Sequence, residues 1–299
     1  MKQITVNKND SGQRLDAFLG KFLKDAPKSL LYKWIRKKRV KINGKKCEIS
    51  YRLCEGDVLS LYINDEFFSE KEVSPSFKKD VPLKVVYEDE NILIADKQKG
   101  LSSQPDKDSK GESLVEYIRS YLYHKGEWNP KEEHTFSPQL CHRIDKNTKG
   151  LVIAAKNAAA LRIINKKIRD REIKKFYLLH TEGEFKEKSG TIEGYTKKDE
   201  KTNKVAFLTV PEEGAKKAIT KYQVLEDGFV LAELETGRSH QIRASFAAMG
   251  HPLVGDVKYG AKKTGSKTYQ DLCAAKIIFD FKTDAGELSY LKGKVIERR

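Results

Sequence analysis

The 299-residue chain has little cysteine, proline and methionine, and it has no long apolar run. Its cysteines, Cys47, Cys54, Cys141 and Cys273, form no Cys-x-x-Cys pair, which argues against a disulfide framework and against a zinc site. No stretch approaches the length of a membrane span, and the start lacks the apolar core of a secretory signal. We therefore expect a cytoplasmic protein without membrane attachment, in which 38% hydrophobic residues suffice for a core.

Negative charge is outweighed by positive charge, with 43 Asp and Glu against 58 Lys and Arg. The formal net charge is +15, and residues 1–65 hold 15 Lys and Arg against 7 Asp and Glu, a net of +8. A basic segment of this kind favours a polyanionic partner, because neutralised phosphates release condensed counterions. RNA is the simplest such partner. The alternative is a Lys-rich surface that only confers solubility.

The N-terminal segment is predicted to form two helices followed by a hairpin. Ser11 is a predicted cap for the first helix, which we expect to end at Pro27, and Ser29 is a predicted cap for the second. Val40–Ile42 alternates toward Asn43-Gly44, a strong hairpin signal. The apolar stripe of the first helix consists of Leu15, Phe18, Leu19, Phe22 and Leu23.

This order of elements resembles the S4-type RNA-binding domain. The resemblance lies in Arg14-Leu15-Asp16 at the start of the first helix and in Val40-Lys41-Ile42-Asn43-Gly44-Lys45. It implies an RNA-facing set consisting of Arg14, Arg36, Lys37, Lys38, Arg39 and Lys41. The alternative is a solvated helix end, where Lys and Arg suit the negative end of the helix dipole. We expect this domain over residues 1–65, a polar linker over 66–81 and a second domain over 82–299.

The second domain is expected to have an α+β fold. Residues 84–97 predict two strands joined by an acidic turn. Helices are predicted over 111–123, 158–171 and 239–249, and further strands over 176–180, 206–210, 219–225, 229–234 and 276–281. Since strands and helices do not alternate regularly, we expect a mixed, largely antiparallel sheet with flanking helices.

A lone carboxylate, Asp145, is the most informative residue of this domain. It stands between Arg143 and Thr148-Lys149-Gly150, with no second acid, no metal-ligand spacing and no Ser or Cys nucleophile paired with a base nearby. One Asp acting on RNA as a nucleophile or as a base is the simplest hypothesis. The alternative is a loop Asp that forms an Asx-turn or a salt bridge with Arg143.

A second run, from Thr236 to Arg243, gathers hydrogen-bond donors at a predicted helix start. Ser239 is the predicted cap, and a helix N-terminus favours anions such as a phosphate or a carboxylate. The donors are Arg238, His240, Gln241 and Arg243. The alternative is a charged helix start that is paired with nearby acids.

Together these runs resemble the two signatures of the RluA-type pseudouridine synthases, and Lys175-Phe176-Tyr177-Leu178 resembles the family's Lys-x-Tyr strand. The resemblance implies a catalytic set of Asp145, Tyr177 and Arg243, in which Asp145 is the reacting carboxylate, Arg243 pairs with it, and Tyr177 stacks on the target uracil. It also implies that Ile242 packs against the uracil and that Arg143 braces the space left by the flipped base. The predicted substrate-binding set is Arg143, Ile242, His142, Thr148, Arg238, His240 and Gln241.

Two positions depart from the family pattern. The family's Lys-Pro-x-Gly appears as Lys97-Gln98-Lys99-Gly100, and its Thr-Ser-Gly appears as Thr148-Lys149-Gly150. Neither departure removes a chemical group of the implied site, so both bear on which RNA is bound.

The resemblance implies an RNA pseudouridine synthase that needs no metal, organic cofactor or nucleotide cofactor. Large-subunit ribosomal RNA is the expected substrate, because an S4 domain accompanies family members that act on structured rRNA, and tRNA is the second candidate. One alternative is a non-catalytic RNA-binding or ribosome-assembly factor on the same fold. Another is an RNA hydrolase, against which the lack of paired acids counts. We expect a monomer, although the sequence leaves the oligomeric state open.

Overall fold

The computed structural model describes residues 1–68, 81–106, 112–200, 202–226, 228–263 and 269–298, and the chain forms two compact units. Unit 1 consists of Met1–Asp80, Arg119–Pro138 and Lys156–Ala159, and unit 2 consists of Val81–Ile118, Gln139–Ala155 and Ala160–Arg299. Most of the predicted linker lies outside the described residues, so the predicted domain bounds stay a prediction. No helix among the described residues is long and apolar enough to cross a membrane.

Two short helices form in unit 1 where the apolar pattern predicts them. Helix α1 spans Leu15–Phe22 and helix α2 spans Lys28–Arg36. The predicted Ser caps are wrong, because α1 begins after Arg14 and α2 after Pro27, and neither of these residues makes a side-chain capping bond. Pro27 therefore precedes the second helix rather than ending the first. A residue with a fixed φ and no N–H suits a helix start, where the N–H groups have no partner within the helix.

A small antiparallel sheet completes unit 1. Its strands among the described residues are β1 (Lys2–Thr5), β2 (Val40–Ile42), β3 (Lys45–Lys46) and β4 (Val58–Leu61), in the order β1-β4-β2-β3. The predicted hairpin is confirmed: Asn43 and Gly44 connect β2 to β3 with φ of 50° and 75°, the positive values of a tight two-residue turn. Helices and sheet share one hydrophobic core.

Unit 2 is built on one large sheet, which has eleven strands within the described ranges. The strands are β5 (Val85–Glu88), β6 (Ile92–Lys97), β7 (Gln139–Leu140), β8 (Lys149–Ala155), β9 (Ile173–His180), β10 (Ser189–Asp199), β11 (Lys204–Leu208), β12 (Lys216–Val224), β13 (Phe229–Leu234), β14 (Leu272–Phe279) and β15 (Val295–Glu297). Their order is β11-β10-β12-β13-β9-β14-β8-β6-β5, with β15 beside β14 and β7 beside β8. The pairs are antiparallel except β8 with β14.

Three further α-helices occur among the described residues: α3 (Leu114–His124), which is divided between the units at Ile118, α4 (Ala158–Arg169), most of which belongs to unit 2, and α5 (Gln241–Ala248) of unit 2. The predicted α+β class with a largely antiparallel sheet is confirmed. Strand β10 was not predicted, because most of its side chains are exposed and no apolar alternation marks it. The start of the predicted helix over 111–123 lies outside the described residues, and α3 begins at Leu114.

The parallel contact between β8 and β14 depends on a glycine. Gly150 of β8 lies in register with Ala274 of β14 and has a φ of 117°. A Cβ at this position would stand 2.2 Å from the carbonyl oxygen of Ala274, so no side chain fits. Because Gly150 follows the Asp145 loop closely, this contact fixes where the loop enters the sheet.

Candidate active site

A cleft of about 800 Å³ lies in unit 2. Its lining includes the loop between β7 and β8, the first half of β9 and the turn that leads from β13 into α5, together with residues 102–106, the end of α4 and Leu272. All ten residues predicted as catalytic or substrate-binding line this cleft. The fold therefore brings together motifs that are about a hundred residues apart in the sequence.

A buried lysine, Lys97, hydrogen-bonds to the backbone of the Asp145 loop. The side chain of Lys97 is 1% exposed, and its ammonium donates to the carbonyl of Lys146 at 2.9 Å and to two carbonyls of residues 98–101 at 3.0 and 2.7 Å. Burial lowers the pKa of Lys97 to about 8, and the charge of Asp145 opposes this shift. Sequence reasoning missed this role, although the signature at 97–100 was the signal that could have revealed it.

Arg243 joins two carboxylates at the floor of the cleft. Its guanidinium makes a bidentate pair with Asp256, with Nε–Oδ2 and Nη2–Oδ1 distances of 2.6 and 2.8 Å, and both side chains are buried. Its remaining nitrogen, Nη1, lies 3.4 Å from Oδ2 of Asp145. Asp256 thus orients the guanidinium, while Asp145 keeps a longer contact and is the more exposed carboxylate, at 28% for its side chain. The predicted proximity of Arg243 to Asp145 is present.

His240 approaches the same carboxylate oxygen of Asp145 as Arg243 does, and it has an unusual backbone. It precedes α5 in the left-handed region, with φ 49° and ψ 20°, and the predicted cap at Ser239 is wrong because no side chain caps this helix start. Its Nδ1 lies 2.8 Å from the hydroxyl of Tyr259, and its Nε2 lies 4.0 Å from Oδ2 of Asp145. Backbone strain of this kind in a non-glycine residue is common at functional sites.

The tautomer of His240 follows from its neighbours. The Tyr259 hydroxyl accepts a hydrogen bond from the backbone N–H of Val205 at 2.9 Å, and its own proton is free to be donated to Nδ1 of His240. Burial lowers the pKa of His240, so the neutral imidazole is favoured. A neutral ring whose Nδ1 accepts must carry its proton on Nε2, the nitrogen that faces Asp145.

Tyr177, Ile242 and Arg143 present three different kinds of surface to the cleft. Tyr177 on β9 is 5% exposed, and burial together with the charge of Asp145 raises the pKa of its phenol, so it is neutral. Ile242 in the first turn of α5 is 3% exposed and apolar. Arg143 is exposed, and its Nη1 has a long contact of 3.4 Å with the side chain of Gln104.

The polar groups of Gln241 and Thr148 form hydrogen bonds within the protein itself. The amide of Gln241 donates to the carbonyl of Ile219 and the hydroxyl of Thr220, and its oxygen accepts from the hydroxyl of Thr236 and the N–H of Arg238. Thr148 is 1% exposed and accepts a bond from Gln270 at 3.2 Å. This geometry favours a role for both residues in shaping the loops of the cleft.

His142 and Arg238 also hydrogen-bond within the protein, but they differ in exposure to solvent. Nε2 of His142 accepts the backbone N–H of Ile153 at 3.1 Å, and burial, assisted by the charge of Lys175, lowers the pKa of this imidazole to about 3. His142 is therefore a neutral residue that ties the loop to β8. Arg238 is exposed at the rim, and its Nε donates to the carbonyl of Lys217 at 3.0 Å.

The basic residues predicted to face RNA in unit 1 are mostly open to solvent. The basic turn, defined as Arg36–Arg39 at the end of α2, is exposed throughout, and Lys38 turns the chain with a φ of 58°. Arg14 instead forms an ion pair with Asp16 at 3.0 Å, and Lys41 is half-buried with its ammonium over the ring of Tyr62. Among the described residues no group of His, Cys, Asp and Glu is arranged to hold a metal ion.

Comparison with known proteins adds to this geometry. A family model described as RNA pseudouridylate synthase matches residues 91–248, and a model of the S4 domain matches residues 13–59. An uncharacterized RNA pseudouridine synthase of Mycoplasma capricolum is 33% identical over 305 residues, which cover 99% of this chain and 97% of that protein. The ribosomal large subunit pseudouridine synthase C of Vibrio parahaemolyticus is 29% identical over 275 residues, covering 89% of this chain and 82% of the relative.

Similarity also extends to a solved structure. The human protein named RNA Pseudouridylate Synthase Domain Containing 1 superposes with a TM-score of 0.53 and 23% sequence identity, covering 72% of this chain and 83% of the human chain. Similarity at this level concerns the fold.

Proposed function

The chain belongs to the RNA pseudouridylate synthase family, carries an S4 domain and is an RNA pseudouridine synthase. On that premise we propose that it uses a single catalytic Asp, Asp145. The observation that carries the proposal is the contact between Asp145 and Arg243, whose guanidinium is held in place by a second, fully buried carboxylate. Such an arrangement holds a guanidinium in a fixed position beside a partly exposed carboxylate of the cleft.

The isomerisation makes modest demands on the protein. The glycosidic bond of uridine breaks, the uracil turns, and its C5 joins C1′ of the sugar, without redox chemistry or an external energy source. A carboxylate can act as a nucleophile on the sugar or the base, or as the base that removes a sugar proton. In each case one Asp suffices, provided that the nucleotide is held against it.

The remaining residues of the cleft are proposed to hold that nucleotide. Tyr177 offers an aromatic surface and Ile242 an apolar surface to the uracil. The two faces of a flat base pack well between side chains of these kinds. His240 presents an Nε2–H donor beside Asp145, which suits an oxygen of the nucleotide. Arg143, exposed at the rim, is proposed to brace the RNA from which the uridine has been extruded.

The proposed substrate is large-subunit ribosomal RNA, in the cytoplasm. The name of the Vibrio relative supports this choice, as does the S4 domain with its exposed basic turn. Transfer RNA is the second candidate, and a monomer that binds RNA through both units is the proposed working form.

The test is pseudouridine mapping of total RNA from cells with and without the gene, by carbodiimide labelling and reverse-transcription stops. We expect a stop in large-subunit rRNA that disappears in the deletion strain and returns with wild type but not with Asp145→Asn. The control Asp284→Asn removes an exposed carboxylate elsewhere in unit 2 and should restore the stop. A stop restored by Asp145→Asn would refute the catalytic assignment, and a change confined to tRNA would refute the rRNA substrate.

A further inference from the structure

Lys175 is a buried lysine in the cleft to which neither the reaction nor the fold assigns a task. It lies on β9, two residues before Tyr177, and the two side chains occupy the same face of the strand because buried and half-buried positions alternate along β9. Both residues line the cleft. Lys175 is 9% exposed, and its ammonium lies 3.9 Å from the place where a Cβ of residue 237 would stand.

The ammonium of Lys175 has no hydrogen bond or ion pair with any described residue. Two other buried lysines show how unusual this is: Lys97 donates to three carbonyls, and Lys167 pairs with Glu172 at 2.6 Å and also donates to Thr283. Burial lowers the pKa of Lys175.

The surroundings of this ammonium point to an anion from outside the chain. The carboxylate of Asp145 is engaged with Arg243, and Glu235, which also lines the cleft, forms ion pairs with Arg171 and Lys221. Gly237, which has no side chain, leaves open the space that the ammonium faces. A buried cation that faces an open cleft and has a lowered pKa is typical of a binding residue.

We propose that Lys175 is a phosphate-binding residue of the active-site cleft and pairs with the backbone phosphate next to the target uridine. The proposal rests on the proposed function, because Tyr177 is taken to face the uracil. Along a strand, residues two apart are separated by about 6.6 Å, so a nucleotide with its base against Tyr177 places its sugar–phosphate within reach of Lys175. Of the parts of an RNA substrate, only the phosphates supply the negative charge that this cation lacks.

The experiment compares full-length wild type with Lys175→Met, which keeps the length of the side chain and removes its charge. The dissociation constant for a single-stranded oligouridylate is measured over a range of salt concentrations. We expect binding to weaken about tenfold, as for loss of one charged hydrogen bond. The logarithm of the association constant decreases with the logarithm of the salt concentration, and the steepness of this decrease should become smaller by about 0.7, the share of one phosphate on a single strand. Lys175→Arg should restore both quantities.

A stability measurement separates binding from packing. Because Lys175→Met replaces a mostly buried charged side chain by an apolar one of similar length, its thermal midpoint without RNA should not fall below that of wild type. The control Lys276→Met removes a lysine of the neighbouring strand β14 that is paired with Glu297, and it should change neither the salt slope nor the midpoint appreciably.

An unchanged salt slope for Lys175→Met overturns the proposal, whatever the midpoint does. Binding to oligouridylate is measured without turnover. If mapping finds no pseudouridine made by this chain, the proposed function fails while the result for Lys175 remains readable.

Discussion

Tyr259→Phe is the sharpest single test of how the site is assembled. The hydroxyl of Tyr259 is the hub of a small network: it lies 2.8 Å from Nδ1 of His240 and accepts the N–H of Val205 at 2.9 Å. The ring of the same residue lies under the guanidinium of Arg243, 4.8 Å from its centre. Phenylalanine keeps the ring and removes only the hydroxyl, so packing against Arg243 survives and the two hydrogen bonds are lost.

The size of the effect follows from what is left behind. Val205 is 3% exposed, so its N–H loses its acceptor away from water, which costs about 1 to 3 kcal/mol. Without the hydroxyl, Nδ1 of His240 is free to take the proton, and the fraction of rings that present Nε2–H to the cleft falls. The loss of one such donor corresponds to about 1.4 kcal/mol in the barrier, a tenfold fall in kcat.

Three measurements test this reasoning: denaturant unfolding, turnover on rRNA from the deletion strain, and nitrogen NMR of the imidazole of His240. The control is Tyr290→Phe, which removes an exposed hydroxyl bonded to Asp89 at 2.8 Å and should leave turnover unchanged. The reasoning is refuted if Tyr259→Phe keeps both the Nε2–H tautomer and wild-type turnover. A fall in turnover with an unchanged tautomer would show that Tyr259 acts in another way.

Three further changes test the loop, the buried histidine and the RNA-binding unit. Gly150→Ala should lower the free energy of unfolding by about 2 to 4 kcal/mol, because it combines a positive φ with a clash against Ala274. The control Gly126→Ala, at a positive φ with open space around it, should lower the free energy of unfolding by less in the same urea titration. Because the unfolded chain takes up a proton on His142 between its ordinary pKa and the folded pKa of about 3, stability falls as pH decreases through that window. His142→Gln should flatten this fall in urea unfolding measured across the window, and an unaltered pH dependence would contradict the burial of a neutral ring. Replacing all four residues of the basic turn by Gln should reduce the salt slope of RNA binding by up to about 3, and an unchanged slope would show that the turn only adds solubility.

Local patterns predicted the elements of this protein well where one face is buried. The stripe from Leu15 to Leu23, the Asn43-Gly44 turn and strand β13 all lie where the sequence placed them. The predicted serine caps failed because a capping residue is only one of several ways to start a helix, and Pro27 supplies another. Strand β10 escaped notice because a mostly exposed strand has no apolar alternation to reveal it.

For the candidate site as well, local motifs predicted some features and missed others. Motif resemblance identified the residues that line the cleft, since it compares residue types at fixed local spacings. It could not show that Gln241 has used all its hydrogen bonds, that Asp256 holds Arg243, or that Tyr259 sets the tautomer of His240. These are contacts between segments that only the folded sheet brings into register.

By itself, the sequence determined the helices and strands with an apolar face, the basic character of unit 1 and the family of the catalytic unit, because each depends on residues close together in the chain. The tertiary structure alone decided which polar groups form hydrogen bonds within the protein and which remain available to a ligand. Lys97 and Lys175 show the difference: both are buried lysines in family signatures, but the fold surrounds one with carbonyl oxygens and leaves the other facing an open cleft. Hydrogen-bond partners are assigned by packing between distant segments, and local sequence does not encode that packing in a readable form.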